Sequence, residues 1–152
     1  MNEIRVKRML LAGLVMLIVW VVVEVLVEQG MARVLFGQSS QEMWLQVIEL
    51  DDWSALNFWV NTFIALLNCT LLIWLYASLR PMYGVGTRTA LITSAFGIIL
   101  GFSLFINFIN LGLFPLKLGL LEAGFEAIEL TIAMIAGAAI YEGNGKEGRA
   151  TE

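Results

Sequence analysis

Four long apolar stretches, separated by short polar segments, run through the chain at about residues 9–29, 53–79, 88–113 and 118–141. Each is close to the roughly 20 residues that an α-helix needs to cross a lipid bilayer. The first is too long for the apolar core of a signal peptide, so we expect it to be retained and to continue as helix toward Phe36. The pattern predicts an all-α membrane protein with four transmembrane helices in an up-down-up-down bundle.

The connection between the first two spans is the longest, and its sequence is typical of a surface helix. Residues 39–42 match a helix-capping box, and apolar residues then recur at helical spacing. This predicts a short interfacial helix at about 40–50, lying on the membrane surface. Pro81 and Pro115 follow the second and third spans, where a helix-breaking residue is least disruptive. The Gly-rich and charged segment 142–152 predicts a disordered tail.

The composition agrees with a chain that lies mostly in lipid. Hydrophobic residues make up 59% of the sequence and charged residues only 14%, with a mean hydropathy of +0.82. A soluble domain carries about 25% charged residues. We therefore expect one transmembrane domain, at about residues 1–141, with the lipid bilayer as its main partner.

The basic residues predict the orientation of the bundle. With four spans, both termini and the middle connection lie on one side of the membrane. That side carries Arg5, Lys7, Arg8, Arg80, Arg88, Lys146 and Arg149, and the other side carries Arg33 and Lys117. Because basic residues favour the cytoplasmic side, we predict cytoplasmic N- and C-termini and a periplasmic interfacial helix. A bacterial inner membrane is the location that we expect for so compact a chain.

Each predicted span carries one stripe of polar residues. Helical periodicity of about 100° and 1.5 Å per residue places the members of each stripe on a common face. The stripes are Glu24 and Glu28; Asn57, Asn61 and Asn68; Ser103, Asn107 and Asn110; and Glu122, Glu126 and Glu129. Their depths coincide in the outer half of the membrane. We expect them to line a cavity that opens outward and is closed below by apolar packing.

The deepest acidic residues are the strongest candidates for a functional role. Burial of one carboxylate at this depth costs about 2.5–3.5 kcal/mol, and the apolar spans contain no Lys or Arg to neutralise it. Glu24, Glu126 and Glu129 must therefore be protonated, hydrated or bound to a cation. The candidate ligand- or ion-binding residues are Glu24, Glu28, Asn61, Asn68, Asn107, Glu122, Glu126 and Glu129.

Simpler roles are open for several of these residues. The asparagines are also typical of hydrogen bonds between membrane helices, which contribute about 0.6 kcal/mol each. Glu28 and Glu122 lie nearer the surface, where Arg33 and Lys117 are alternative partners. We interpret three tryptophans as large side chains that pack in the bundle or face lipid, namely Trp20, Trp59 and Trp74. The motif Gly97-x-x-x-Gly101 is interpreted as close helix packing.

The residue types exclude several kinds of chemistry. The sequence has no histidine and a single cysteine, Cys69, so imidazole metal sites and paired-thiol redox motifs are absent. Oxygen ligands suit protons or hard cations, which leaves the identity of any metal open, and no cofactor is expected. Neither a phosphate-binding loop nor a basic patch for nucleic acid is present. An enzymatic role is not supported by any motif.

Two hypotheses for function follow. In the first, the acidic cavity binds or passes protons, a hard cation, or a small polar or cationic ligand. In the second, the chain is an accessory or assembly subunit of a larger membrane complex, and the polar stripes serve helix–helix packing. Association as a homo-oligomer or within a larger membrane complex is left open.

Overall fold

The computed structural model describes residues 5–38, 42, 55–112 and 115–143, apart from the side chains at positions 29, 31, 55–57 and 108. The described part is helical and contains no strand. Its elements are α1 (Val6–Glu24), a π-helical segment (Val25–Met31), α2 (Ala32–Phe36), α3 (Ala55–Tyr83), α4 (Thr87–Asn110) and α5 (Leu116–Glu142). The first three follow one another without a break, so they form one long first helix.

Four helices are long and apolar enough to cross a membrane. They are Val6–Phe36, Phe58–Tyr83, Thr87–Asn107 and Leu116–Glu142. The predicted all-α class and the four spans are confirmed, as is the continuation of the first span to Phe36. Four candidate membrane-spanning helices indicate a multi-pass membrane protein.

Two predicted boundaries are wrong at one end of the bundle. The second span does not stop before Pro81, because α3 continues through this proline to Tyr83. Pro81 lies in the last turn, where few helical hydrogen bonds follow it and the disruption is small. Glu142, predicted to begin the tail, is instead the last residue of α5. The predicted interfacial helix at 40–50 and the tail beyond residue 143 lie outside the described residues.

The four long helices pack in a closed ring. The order around the ring is α1, α3, α4 and α5, and α5 returns to contact α1. Helix α5 is the most enclosed of the four long helices. In its most apolar stretch of 18 residues 44% of the residues are buried, against 17% in that of α3. Its buried positions include many small residues, which let neighbouring backbones approach closely without lipid between them.

Glycines set the closest approaches between helices. A Cβ atom on Gly13 of α1 would lie 2.6 Å from Oγ1 and 3.1 Å from Cα of Thr70 on α3. On Gly137 of α5 it would lie 3.0 Å from Cβ of Met16 and 3.3 Å from the carbonyl oxygen of Ala12, both on α1. These two contacts fix the rotation of α1 relative to both of its neighbours.

A polar network joins the helices at the end of the bundle where α5 terminates. Oε1 of Glu142 accepts a hydrogen bond of 2.9 Å from the hydroxyl of Tyr76 and lies 3.0 Å from Nε of Arg80. The same hydroxyl accepts a bond of 3.0 Å from the backbone N–H of Gly86, and Arg8 donates to the carbonyl oxygen of Glu142 at 3.3 Å. The network therefore joins α1, α3 and α5 at this end of the bundle.

Candidate functional site

Glu129 is the centre of the candidate site. It lies on α5 and exposes only 3% of its surface, although it is an acidic residue. Oε2 accepts a hydrogen bond of 3.2 Å from Nε1 of Trp20 on α1. Oε1 is buried as well, and no described group forms a hydrogen bond with it. Buried polar atoms are almost always hydrogen-bonded, so this oxygen has an unmet need for a donor or a cation.

The first long helix and α5 each carry a further acidic residue beside Glu129. These two residues, Glu28 and Glu122, lie together. Glu28 lies in the π-helical segment and Glu122 nearly two turns into α5, where it exposes only 6% of its surface. The two side chains are within hydrogen-bonding reach of each other. Ionised carboxylates only accept hydrogen bonds, so a hydrogen bond within this pair would need a proton on one of them.

Glu24 and Glu126 complete the cluster. Both are half-buried, and each interacts electrostatically with Glu122. The carboxylate of Glu126 also reaches α4, because a Cβ atom on Gly101 would lie 3.3 Å from its Oε1. Five glutamates therefore meet between the first long helix and α5, with α4 beside them, as the spacing on each helix predicted.

The members of this cluster lie close enough for their charges to act on one another. Glu24, Glu28, Glu126 and Glu129 each interact electrostatically with other glutamates of the cluster. The alternative pairing of Glu28 with Arg33 is not observed, because Arg33 binds Glu42 at 3.1 Å on the exposed surface. The described residues contain no group of three or more acidic or thiol side chains with the geometry of a metal site.

The π-helical segment shapes the site. Glu24 ends α1 and Glu28 lies inside the wider π turn, so their angular separation differs from that of an α-helix. Segments of this kind are often found at functional sites. Val27 lies inside the π-helical segment and Ala32 directly after it. Both pack against Phe125 of α5 and form a small apolar cluster beside the acidic residues. The residue pattern of this segment does not by itself predict a π-helix.

The asparagines are not part of the cluster, which corrects the expectation of one cavity lined by all four helices. Asn61 and Asn68 of α3 and Asn107 of α4 are exposed on the outside of the bundle. Nδ2 of Asn107 donates to the carbonyl oxygen of Ser103 at 3.0 Å. The core face of α3 is centred near Cys69, and about 100° of rotation per residue turns Asn68 away from it. Asn57 lies in α3, and its side chain is outside the described part.

The structure also shows what the predicted glycine motif and Trp20 contact. Gly97 lies against Leu130 of α5 and Leu72 of α3, so the Gly97–Gly101 motif serves close packing within the chain. Trp20, interpreted from sequence as bulk, is the hydrogen-bond donor to Glu129. Its spacing of four residues from Glu24 placed it one turn away on the same helix face, and this signal could have identified it.

A comparison of the chain with models of protein families, with characterised proteins and with solved structures finds no similar protein.

Proposed function

We propose that the five glutamates form an intramembrane site that binds protons and exchanges them for a small cation, as part of a binding or transport module. The observation that carries the proposal is the buried Oε1 of Glu129, which lacks a hydrogen-bond partner among the described residues. A bound cation, or the donor group of a ligand, would satisfy this oxygen. An apolar or anionic ligand would leave it unsatisfied.

Charge balance supports a positively charged occupant. If all five groups were ionised, five negative charges would be confined between two helices in a medium of low dielectric constant. Protons are the simplest compensation, and a hydrogen bond between Glu28 and Glu122 would need one. A cation that enters the site replaces protons, so its binding releases them. Proton release on cation binding is therefore the expected signature of the site.

We further propose that the helices alternate in direction, with both termini in the cytoplasm and the glutamates in the outer half of a bacterial inner membrane. The three-residue connection 84–86 between α3 and α4 supports opposite directions for these two helices. The contact between Arg8 and the carbonyl of Glu142 supports the same for α1 and α5. The distribution of basic residues supports the cytoplasmic assignment.

Cysteine accessibility tests this orientation. In a Cys69→Ala background, Arg5→Cys and Ala150→Cys should react with a membrane-impermeant maleimide only after the cells are opened. Gln38→Cys should react in intact cells. Labelling in the reverse pattern would contradict the proposed topology.

Infrared titration tests the proton site in the full chain, purified and reconstituted in lipid. The carboxylic acid C=O band should be present at low pH and decrease as pH rises, because ionisation removes the protonated form. Glu129→Gln and Glu42→Gln each remove one carboxyl group. Only Glu129→Gln should remove a band component with the C=O frequency of a group shielded from water, because Glu42 lies at the exposed pair with Arg33. Identical titrations for wild type and Glu129→Gln would contradict the proposal.

Cation competition tests the exchange. Addition of Na⁺, Mg²⁺ or tetramethylammonium should release protons from the wild-type protein and shift the loss of the acid band to lower pH. Glu126→Gln and Glu129→Gln should reduce the release, with helical content unchanged. If all three cations release equal numbers of protons from wild type and both variants, the site does not bind them.

A second candidate function has its own observation. The exposed asparagines of α3 and α4 are polar groups on a surface that otherwise faces lipid. They support a role as an accessory or assembly subunit in which these helices dock a partner. Purification in mild detergent distinguishes the two functions, since the accessory role predicts stoichiometric larger partners and the binding module does not require them.

A further inference from the structure

The exposed asparagines of α3 belong to a regular seam on the outside of the bundle. Positions 61, 64, 68, 71, 75 and 78 of α3 follow one another at alternating intervals of three and four. Five of them are exposed, namely Asn61, Ile64, Asn68, Leu71 and Ser78, and Leu75 is half-buried. This repeat is the one with which two helices pack side by side in a left-handed coiled pair. We infer that two copies of this chain associate in the membrane through this α3 seam, with each asparagine facing its counterpart in the other copy.

The two amides need partners that the chain itself does not supply. In the described part, the side chains of α3 that form hydrogen bonds do not include Asn61 or Asn68. Asn68 lies ten residues inside the candidate span Phe58–Tyr83, about 15 Å along the helix, at a depth where water is scarce. An amide without a hydrogen bond is strongly unfavourable in hydrocarbon, because the lipid chains offer neither donor nor acceptor. Association with another helix removes this penalty.

A second copy is the partner that fits the seam without further requirements. An amide is both donor and acceptor, so it is complementary to itself. A two-fold axis along the membrane normal brings each residue to the same depth as its counterpart, which aligns both asparagines at once. A different protein would need two amides at the same seven-residue spacing. The seam carries no charged residue between Asn61 and Ser78, so two copies do not repel each other there.

Helix α4 extends the same surface. Leu72 of α3 contacts the position of Gly97 on α4, which fixes the relative height of the two helices. With the opposite helix directions proposed above, Asn61 and Asn107 both lie about 15 Å from this contact, at the same end of the bundle. Both are exposed. The exposed Asn107 of α4 therefore lies at the level of Asn61.

Disulfide cross-linking tests the seam. The full chain in a Cys69→Ala background, reconstituted in liposomes, receives single cysteines at Ile64 or Leu71 on the seam. Phe63→Cys serves as the control, because Phe63 is 67% exposed but points about 100° away from Ile64. Under mild oxidation, the two seam variants should form dimers and Phe63→Cys should not. Equal cross-linking at all three positions, or none at the seam, would overturn the inference.

Energy transfer between labelled copies tests the asparagines. In liposomes of decreasing protein density, Asn61→Leu together with Asn68→Leu should weaken dimerisation by about tenfold, because the amide hydrogen bonds between the two copies are lost. Phe63→Leu should leave it unchanged. Helical content confirms that each variant is folded. Wild-type chains that stay monomeric at every density would refute self-association. So would seam-cysteine variants that cross-link in native membranes to a different membrane protein instead of to a second copy. None of these readouts depends on the glutamate cluster.

Discussion

The substitution Gly137→Ala tests the contact that holds the two acidic helices together. The new Cβ atom would lie 2.7 Å from Cδ1 of Ile73, 3.0 Å from Cβ of Met16 and 3.3 Å from the carbonyl oxygen of Ala12. All three neighbours are completely buried. The terminal methyl group of Ile73 can rotate away, but the Met16 and Ala12 atoms are fixed by the backbone of α1. The added methyl group must therefore push α1 and α5 apart by a few tenths of an ångström.

Overpacking by a methyl group costs about 1–3 kcal/mol in a well-packed core. Replacement of glycine by alanine inside a helix also favours the folded state by roughly 0.5–1 kcal/mol, which partly offsets this cost. Gly124→Ala is the matched control on the same helix, because nothing lies within 4 Å of its would-be Cβ atom. The helix-propensity gain is common to both variants. The difference between them should thus be the steric cost alone, about 1–3 kcal/mol.

Cys69 supplies the assay. It is the only cysteine of the chain and is fully buried, so a thiol reagent should modify it only after unfolding. Labelling of Cys69 in micelles with an increasing fraction of SDS should show an earlier transition for Gly137→Ala than for Gly124→Ala. Adding Ile73→Val, which removes the nearest methyl group, should recover part of the loss, with a coupling of about 0.5 kcal/mol or more. Equal transitions for the two glycine variants would refute the close packing of α1 on α5 at this level.

Three further substitutions probe the site and the polar network. Trp20→Phe should destabilise the fold by about 1–3 kcal/mol and shift the acid band of Glu129, because a buried oxygen loses its donor. SDS unfolding measures the first effect and infrared spectra the second. Tyr76→Phe should lower the unfolding free energy by about 1–3 kcal/mol, since its buried hydroxyl binds Glu142 and a backbone N–H group. Gly101→Ala should displace the adjacent carboxylate and reduce cation-induced proton release, with a stability change of about 1 kcal/mol or less.

Each of these has a control with the same chemical change elsewhere. Trp59→Phe and Tyr83→Phe alter exposed rings and should leave stability unchanged within about 0.5 kcal/mol. Gly97→Ala adds a methyl group against Leu130 instead of against a carboxylate, so it should affect stability and spare proton release. Loss of proton release in Gly97→Ala but not in Gly101→Ala would contradict the assignment of Glu126 to the site.

The glutamate cluster was predictable from sequence only in part. Glu122, Glu126 and Glu129 share a face because residues three and four apart lie on one side of a helix, and the same holds for Trp20 and Glu24. The asparagines of α3 were aligned by the same rule, yet Asn61 and Asn68 point away from the bundle. Periodicity states which residues share a face, but it does not state which neighbour that face meets.

The sequence by itself determined that the chain is helical, how many helices are long enough to cross a membrane, and that each carries one polar face. These are local properties, fixed by the length of apolar runs and the geometry of one helix. The tertiary structure decided which faces meet. The rotation of each helix depends on close approaches such as Gly13 on Thr70 and Gly137 on Met16, which join residues far apart in the chain. Those contacts turn the glutamates inward and leave the asparagines of α3 outside.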